Sequence, residues 1–246
     1  MARQRPKRVG PPSLTDEGYW RRWRRDIDLI AQAVRNLVID DHLFRASMAM
    51  HRGSARTKKG TTGYQWILRT YGRDAVVGVR RMLDRDWRST SLVNLLRLLE
   101  QHNQVLSLER FTRPYLRYRH AREVWRRTAR HEFRDLIDSG AAYLPKRLVR
   151  EDLATLRSHW KKLDRVTHKR IAHYEPLRSI GKEPLWQDVH DAVQALEKIT
   201  IRYIWLLRQI DARCSLLPSQ YGKGGDLYGQ LVAFWGRRRR SRRRGL

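Results

Sequence analysis

The residues best suited to chemistry lie in one short stretch of the chain, between Leu163 and Pro176. Two arginines and two histidines fall within it: Arg165, His168, Arg170 and His173. Arg170 and His173 are three residues apart, so a helix would present both side chains on one face. A guanidinium binds phosphate oxygens in pairs, and an imidazole changes its protonation near neutral pH. The stretch is therefore a candidate site for phosphate chemistry with its own proton carrier.

Two acidic residues are candidate supports for this stretch. Asp164 lies four residues before His168, the helical spacing at which a carboxylate orients an imidazole. Asp84 ends another predicted helix, where it is expected to pair with Arg80 or Arg81 and to buttress the catalytic face. The basic residues of the stretch also have a plainer explanation, because cations near the end of a helix stabilise its dipole.

Long amphipathic helices must position these residues. Apolar residues recur at three- and four-residue steps in five segments, which predicts five core helices. Their expected ranges are 15–51, 64–85, a short third helix capped by serine or threonine at 89–91, 147–172 and 186–213. No segment shows the alternation of a β-strand, so the predicted class is all-α, an up-and-down helical bundle. Gly72 and Gly78 in the second helix predict close contact with a neighbouring helix.

The remaining segments divide the chain into three parts. Residues 1–12 are basic and proline-rich and are predicted to be disordered, whereas residues 13–213 form the bundle. Residues 103–146 interrupt the bundle as a helical insertion, in which 120–137 is predicted to be an arginine-coated helix. Residues 214–246 form a glycine-containing linker and an arginine-rich tail.

The charge of the chain points to polyanionic partners. It has 246 residues, a formal net charge of +28, and 43 arginines among its 53 basic residues. Such a field attracts nucleic acid, and arginine adds bidentate phosphate contact and stacking on bases. Two clusters are candidate nucleic-acid contacts: Arg21, Arg22, Arg24 and Arg25 in the first helix, and Arg237, Arg238, Arg239 and Arg240 in the tail. A solvated helix face explains the first cluster at least as simply, and the tail composition also suits acidic protein or membrane lipid.

No metal and no cofactor are expected. Asp40, Asp41 and His42 are adjacent within the first predicted helix, so their side chains diverge and do not form a ligand set. Cys214 is the single cysteine, which excludes an internal disulfide and suits a reducing compartment. The N-terminus lacks an apolar signal segment, and the longest wholly apolar run, at 203–207, is far too short to span a bilayer. The predicted location is therefore cytoplasmic.

Four segments are similar, in order and spacing, to those of a known family. They are 19–23 (YWRRW), 78–86 (GVRRMLDRD), 91–99 (SLVNLLRLL) and 164–175 (DRVTHKRIAHYE), the last centred on Ile171, Ala172 and His173. On these segments, which cover most of 19–210, the chain resembles the HEPN superfamily, specifically the branch associated with bacterial abortive infection (phage exclusion). The resemblance implies a helical bundle that often pairs, so a homodimer is expected.

The resemblance also implies an activity directed at RNA. Many members of the superfamily are metal-independent ribonucleases, whose signature is an arginine followed, after four to six residues, by a histidine. Here the histidine is His173, and the nearest arginines, Arg170 and Arg165, leave two and seven residues between. His173 would exchange a proton with the ribose 2′-hydroxyl or with the leaving 5′-oxygen, and the arginines would stabilise the charged phosphorane.

Two alternatives to a ribonuclease remain open. Family branches with a degenerate signature act as binding modules, so the first alternative is a non-catalytic helical module that binds nucleic acid or a protein partner. The second is that charge alone defines the function, as in a protein that coats nucleic acid.

Overall fold

The computed structural model describes residues 14–52, 62–117, 122–137, 140–166, 186–210 and 216–218. Seven α-helices fall within these residues: α1 Asp16–Arg52, α2 Thr62–Met82, α3 Leu92–Gln101, α4 Leu108–Thr112, α5 Arg122–Ile137, α6 Lys146–Val166 and α7 Trp186–Arg208. Single 3-10 turns occupy Asn103–Val105 and Tyr115–Arg117. In the described part of the chain the extended pairing is one isolated bridge, between Ser107 and Tyr143. The predicted all-α helical bundle is confirmed.

Within the described residues, the predicted helix ends hold to within a few residues where a local signal marks them. Ser91 caps α3, because its side chain accepts the N–H of Asn94 at 3.2 Å. The prediction was wrong at the end of α7, which stops at Arg208 rather than near residue 213. Gln209 adopts a left-handed backbone with φ of 53°, and this conformation ends the helix.

Helix α1 is the longest element and supplies much of the core. Its apolar stripe places Trp23, Ile27, Ile30 and Val34 at zero exposure. The stripe repeats every three to four residues, so one face of the helix is buried along its length. Burial of such large side chains against neighbouring helices stabilises the bundle by roughly 1.5–3 kcal/mol for each apolar side chain.

Ion pairs show that α7 runs antiparallel to both α1 and α6. Arg208 at the end of α7 meets Asp28 near the start of α1, with Nε and Oδ1 3.2 Å apart. At the other end of α7, Lys162 Nζ lies 3.2 Å from Asp188 Oδ1 and joins the end of α6 to the beginning of α7. The helices therefore follow the predicted up-and-down order.

Helix α2 packs against the later part of α1, whereas the end of α3 packs against its beginning. Leu37 of α1 lies against Gly78 of α2, whereas Tyr19 of α1 stacks on His102, which follows α3, with ring centroids 4.0 Å apart. A methyl group at Gly78 would overlap the Leu37 side chain. One at Gly72 would lie 2.6 Å from Cη2 of Trp186. Both glycines thus mark close helix contacts, as predicted.

The insertion packs against the beginning of α1. Phe111 of α4 contacts Phe133 of α5 with ring centroids 5.3 Å apart. Arg110 donates to the backbone oxygen of Asp16 at 3.1 Å, and its guanidinium lies 5.5 Å from the ring centre of Trp20. The described part of 103–146 thus sits at the opposite end of α1 from the start of α7.

Within the described ranges, no helix is both long enough and apolar enough to cross a membrane.

Candidate functional site

The structure describes only the first residues of the predicted catalytic stretch, up to the end of α6. Leu163 is buried in the core and Asp164 is exposed on the same helix turn. Helix α6 ends at Val166, so the backbone of Arg165 lies in its last turn. The side chain of Arg165 and the three residues His168, Arg170 and His173 lie outside the described residues. Their catalytic roles, and the orientation of His168 by Asp164, stay predictions.

A second arginine–histidine pair, which sequence reasoning missed, lies where α1, α2 and α7 meet. Nδ1 of His190 donates to Oδ2 of Asp41 at 2.6 Å, and Nη1 of Arg45 donates to Nε2 of His190 at 2.8 Å. The hydroxyl of Tyr71 donates to the other carboxylate oxygen, Oδ1 of Asp41, at 2.7 Å. One buried carboxylate therefore holds both an imidazole and a phenol. We call Asp41, Arg45, Tyr71 and His190 the Asp41 cluster.

The hydrogen bond to Asp41 orients the imidazole of the cluster. A carboxylate only accepts, so Nδ1 of His190 carries a proton in this arrangement. Nη1 of Arg45 lies 2.8 Å from Nε2 and 3.5 Å from Nδ1, so the guanidinium sits close to both ring nitrogens. An imidazole oriented in this way by a buried carboxylate presents a basic Nε2 to whatever replaces the arginine contact.

Asp41 is buried because it occupies a core position of α1. It lies three and four residues after Val38 and Leu37 and three before Phe44, all of which are buried. A buried carboxylate is tolerated only when its oxygens are hydrogen-bonded, and both oxygens of Asp41 are. Burial, followed by the charge and hydrogen bond of Asp41, raises the pKa of Tyr71 far above its ordinary value, so the phenol stays a donor.

The neighbouring acid Asp40 lies on the exposed side of α1, near Tyr71 and Asp74 of α2. It is exposed, and partial burial together with the nearby Asp74 raises its pKa above the ordinary range. Asp40 and Asp41 thus diverge, as their adjacency on one helix predicts. Across the described ranges, no group of three or more His, Cys, Asp or Glu side chains is placed to hold a metal ion.

The outer side of the Asp41 cluster is basic and aromatic. Arg45 is exposed, and among the described residues it makes no ion pair with a carboxylate. Trp186, one helical turn before His190, is 42% exposed. Its ring contacts Phe44 and Tyr71, with centroids 5.0 and 6.0 Å away, and these two rings stack on each other at 4.0 Å. An exposed guanidinium and a supported indole therefore lie beside the oriented imidazole.

The arginines at the start of α1 have acidic partners on the same helix. Arg21 lies 3.7 Å from Glu17, whereas Arg22 and Arg25 approach Asp26 at 3.3 and 3.4 Å. These pairs offset the unfavourable placement of cations near a helix N-terminus. The side chains of Arg21 and Arg25 nevertheless remain 77% and 72% exposed, so they are still accessible to an anion. Arg24 is half-buried on the same turns.

Asp84 lies in the connection between α2 and α3. Its side chain accepts the backbone N–H of Asp86 at 3.0 Å, and its backbone oxygen accepts the hydroxyl of Ser91 at 2.6 Å. The ion pairs of the described residues do not include one between Asp84 and Arg80 or Arg81. Its observed contacts shape the turn that leads into α3. Arg237, Arg238, Arg239 and Arg240 lie outside the described residues.

A further buried network joins α6 to α7. Nη1 of Arg202 lies 2.8 and 2.9 Å from the two carboxylate oxygens of Asp152, and the hydroxyl of Tyr203 donates to Oδ2 of Asp152 at 3.0 Å. Tyr203 is fully buried, and Asp152 is buried as well. Burial raises the pKa of Asp152 despite the opposing charge of Arg202. Because its carboxylate and its phenol are both buried, we assign this network to stability.

Comparison with known proteins gives one match. The family model HEPN_AbiU2, described as AbiU2, matches residues 29–223. The matched region contains most of α1, all of α2 to α7, and both arginine–histidine pairs. No curated protein and no solved structure matches the chain.

Proposed function

Because the chain belongs to the HEPN_AbiU2 family, an abortive-infection-associated family of the HEPN superfamily, we propose that it binds RNA and cleaves it without a metal. The observation that carries the proposal is the hydrogen-bond chain from Asp41 through His190 to Arg45. It places an oriented imidazole beside a guanidinium that has no described carboxylate partner. In metal-independent cleavage of RNA, an imidazole can act as the general base and a guanidinium can stabilise the charged phosphorane.

The proposed reaction transfers the phosphoryl group within the RNA strand. Nε2 of His190 accepts the proton of a ribose 2′-hydroxyl, and the 2′-oxygen forms a new bond to phosphorus. Arg45 stabilises the negative charge that develops on the phosphorane oxygens. The bond from phosphorus to the 5′-oxygen then breaks, and that oxygen takes up a proton. The products are a strand ending in a 2′,3′-cyclic phosphate and a strand beginning with a 5′-hydroxyl.

His173 is proposed to give the proton to the leaving 5′-oxygen. It belongs to the segment that leaves α6 and enters α7, and the Lys162–Asp188 ion pair brings those two helix ends together. Since His190 lies only one turn into α7, this connection supports a shared site at one end of the bundle. Arg170 and Arg165 from the same segment would add positive charge there. A homodimer, a protein partner and a cytoplasmic location stay predictions.

Replacing His173 with alanine tests whether the protein is an enzyme or a non-catalytic binding module. We expect RNA cleavage to fall by at least about 100-fold, the lower range for a general acid or base, while RNA affinity stays the same. Cleavage is measured on a labelled oligonucleotide in EDTA, and affinity on a 2′-deoxy strand of the same sequence. Unchanged cleavage by the variant would contradict the role of His173. Absence of cleavage by both proteins, with binding intact, would favour the non-catalytic module.

The exposed arginines of α1 are proposed to contact RNA phosphates. Replacing both Arg21 and Arg25 with alanine should reduce the slope of log affinity against log salt by about 1.4 for a single strand, roughly 0.7 for each lost contact. The matched control replaces Arg126 and Arg127 of α5, which are also exposed and also paired with a carboxylate on their own helix, that of Glu123. Equal slopes for the two double variants would show that only total charge matters.

A further inference from the structure

Trp186 has the features of a platform for an unpaired base. It is the first residue of α7 and exposes 42% of its surface, although tryptophan is a residue that folding usually buries. The rings of Phe44 and Tyr71, which stack on each other, both contact its ring. Gly72 adds a tight fit, because even a methyl group there would lie 2.6 Å from the indole. An exposed indole with so firm a support is pre-organised for stacking.

The platform lies beside the guanidinium and the imidazole of the Asp41 cluster. Trp186 and His190 are four residues apart on α7, a spacing that puts side chains on one face with Cβ atoms about 5–6 Å apart. Arg45 contacts the outward nitrogen of His190 and has further N–H groups to offer to an anion. A base on the indole would therefore have its own phosphate near the imidazole and the guanidinium.

We propose that Trp186 and Arg45 bind one unpaired nucleotide beside His190, with the base stacked on Trp186 and the adjoining phosphate held by Arg45. The proposal rests on the proposed function, since it takes the Asp41 cluster to face an RNA phosphate. It adds a substrate class, because a base within a duplex is stacked between its neighbours and cannot lie on an indole. The RNA bound at this site is single-stranded at that nucleotide.

The test compares two exposed tryptophans. Trp87, in the connection between α2 and α3, is 43% exposed and lies outside the Asp41 cluster, so it matches Trp186 in exposure alone. Trp186→Ala, Trp186→Phe and Trp87→Ala are measured by fluorescence anisotropy in EDTA with a labelled 2′-deoxy single strand. That strand lacks the 2′-hydroxyl and is not cleaved by the proposed reaction. The same strand in a duplex is the second ligand.

We expect Trp186→Ala to weaken single-strand binding by roughly 5- to 150-fold, the range that base–aromatic stacking contributes. Trp186→Phe retains an aromatic face and should recover part of this loss, whereas Trp87→Ala should bind as the wild type does. Duplex binding should be equal for all four proteins. A nucleoside monophosphate should compete with the strand better than inorganic phosphate does. Equal single-strand affinities for Trp186→Ala and Trp87→Ala would overturn the proposal.

A second variant leaves the indole in place but moves it. Gly72→Ala forces the Trp186 ring to shift, because the added methyl group would collide with Cη2 and with Cζ3, at 2.6 and 2.9 Å. We expect this variant to bind the single strand more weakly and the duplex as the wild type does. Circular dichroism is the control that checks whether its helices are retained. Binding equal to wild type by both Gly72→Ala and Trp186→Ala would exclude the platform. Another outcome is that the protein binds the strand through Trp186 and yet does not cut RNA. That result would contradict the proposed cleavage but would leave this inference standing.

Discussion

Replacing His190 with glutamine is expected to reduce RNA cleavage by about 10²- to 10⁴-fold, the usual contribution of a positioned general acid or base. The reason is that Nε2 of His190 is the proton acceptor in the proposed reaction, and a glutamine amide does not accept a proton in its place. The amide does offer both a donor and an acceptor, so it can replace the contacts with Asp41 and Arg45. The measurement is single-turnover cleavage of a labelled RNA strand in EDTA.

The matched control is His131→Gln on α5. His131 also pairs with an aspartate, since its Nδ1 lies 2.7 Å from Oδ2 of Asp135, but both side chains are more than half exposed and lie in the insertion. Cleavage by this variant should equal that of the wild type. If the two variants cleave equally well, His190 is a structural residue, and the base must be sought between α6 and α7.

Replacing Asp152 with alanine is expected to lower the free energy of unfolding by about 3–5 kcal/mol, the range for breaking a buried ion pair by removing one partner. The substitution leaves the hydroxyl of the fully buried Tyr203 without its acceptor and Arg202 without its carboxylate. Urea denaturation at pH 7 measures the effect. Glu151→Ala is the control, because Glu151 is exposed and its ion pair within the described residues is with Arg147, at 3.6 Å. Such a surface pair contributes roughly 0–1 kcal/mol.

Asp152→Asn separates the hydrogen bonds of this network from its charge. The amide oxygen still accepts the hydrogen bond of Tyr203, so the free energy of unfolding should fall less than it does for the alanine variant. Because the folded-state pKa of Asp152 is raised, the carboxyl contributes stability below its ordinary pKa and loses it as pH rises through the folded-state value. Asparagine stays neutral, so its stability relative to wild type should improve between pH 3 and pH 7. A relative stability that worsens over this range would show that the pairing with Arg202 outweighs burial, and it would contradict the raised pKa of Asp152.

The helices were predictable because local patterns define them. The apolar repeat of α1 predicted a helix over 15–51, and the structure has Asp16–Arg52. Serine at the start of α3 and glycine at the contacts of α2 are likewise local signals that survive into the structure. The end of α7 carries no such signal, since Gln209 adopts its left-handed backbone without glycine or proline. That helix was therefore predicted too long.

The Asp41 cluster was not predicted because its members are far apart in sequence. Asp41 and His190 are 149 residues apart, and no local pattern states which faces of two helices meet. One signal was available, since Asp41 lies in phase with the apolar stripe of α1 and a buried carboxylate requires a partner. Nothing close to Asp41 in the sequence identifies His190 as that partner. The predicted stretch around His173 stays a prediction.

The measurement that tests metal-independent RNA cleavage most directly is incubation of the purified full chain with total RNA in EDTA, followed by analysis of the fragment ends. The account predicts fragments that end in 2′,3′-cyclic phosphate and begin with 5′-hydroxyl, since the 2′-oxygen is the nucleophile. Fragments with 3′-hydroxyl and 5′-phosphate ends would contradict that chemistry. RNA that remains intact while bound would contradict cleavage and identify the chain as a binding module.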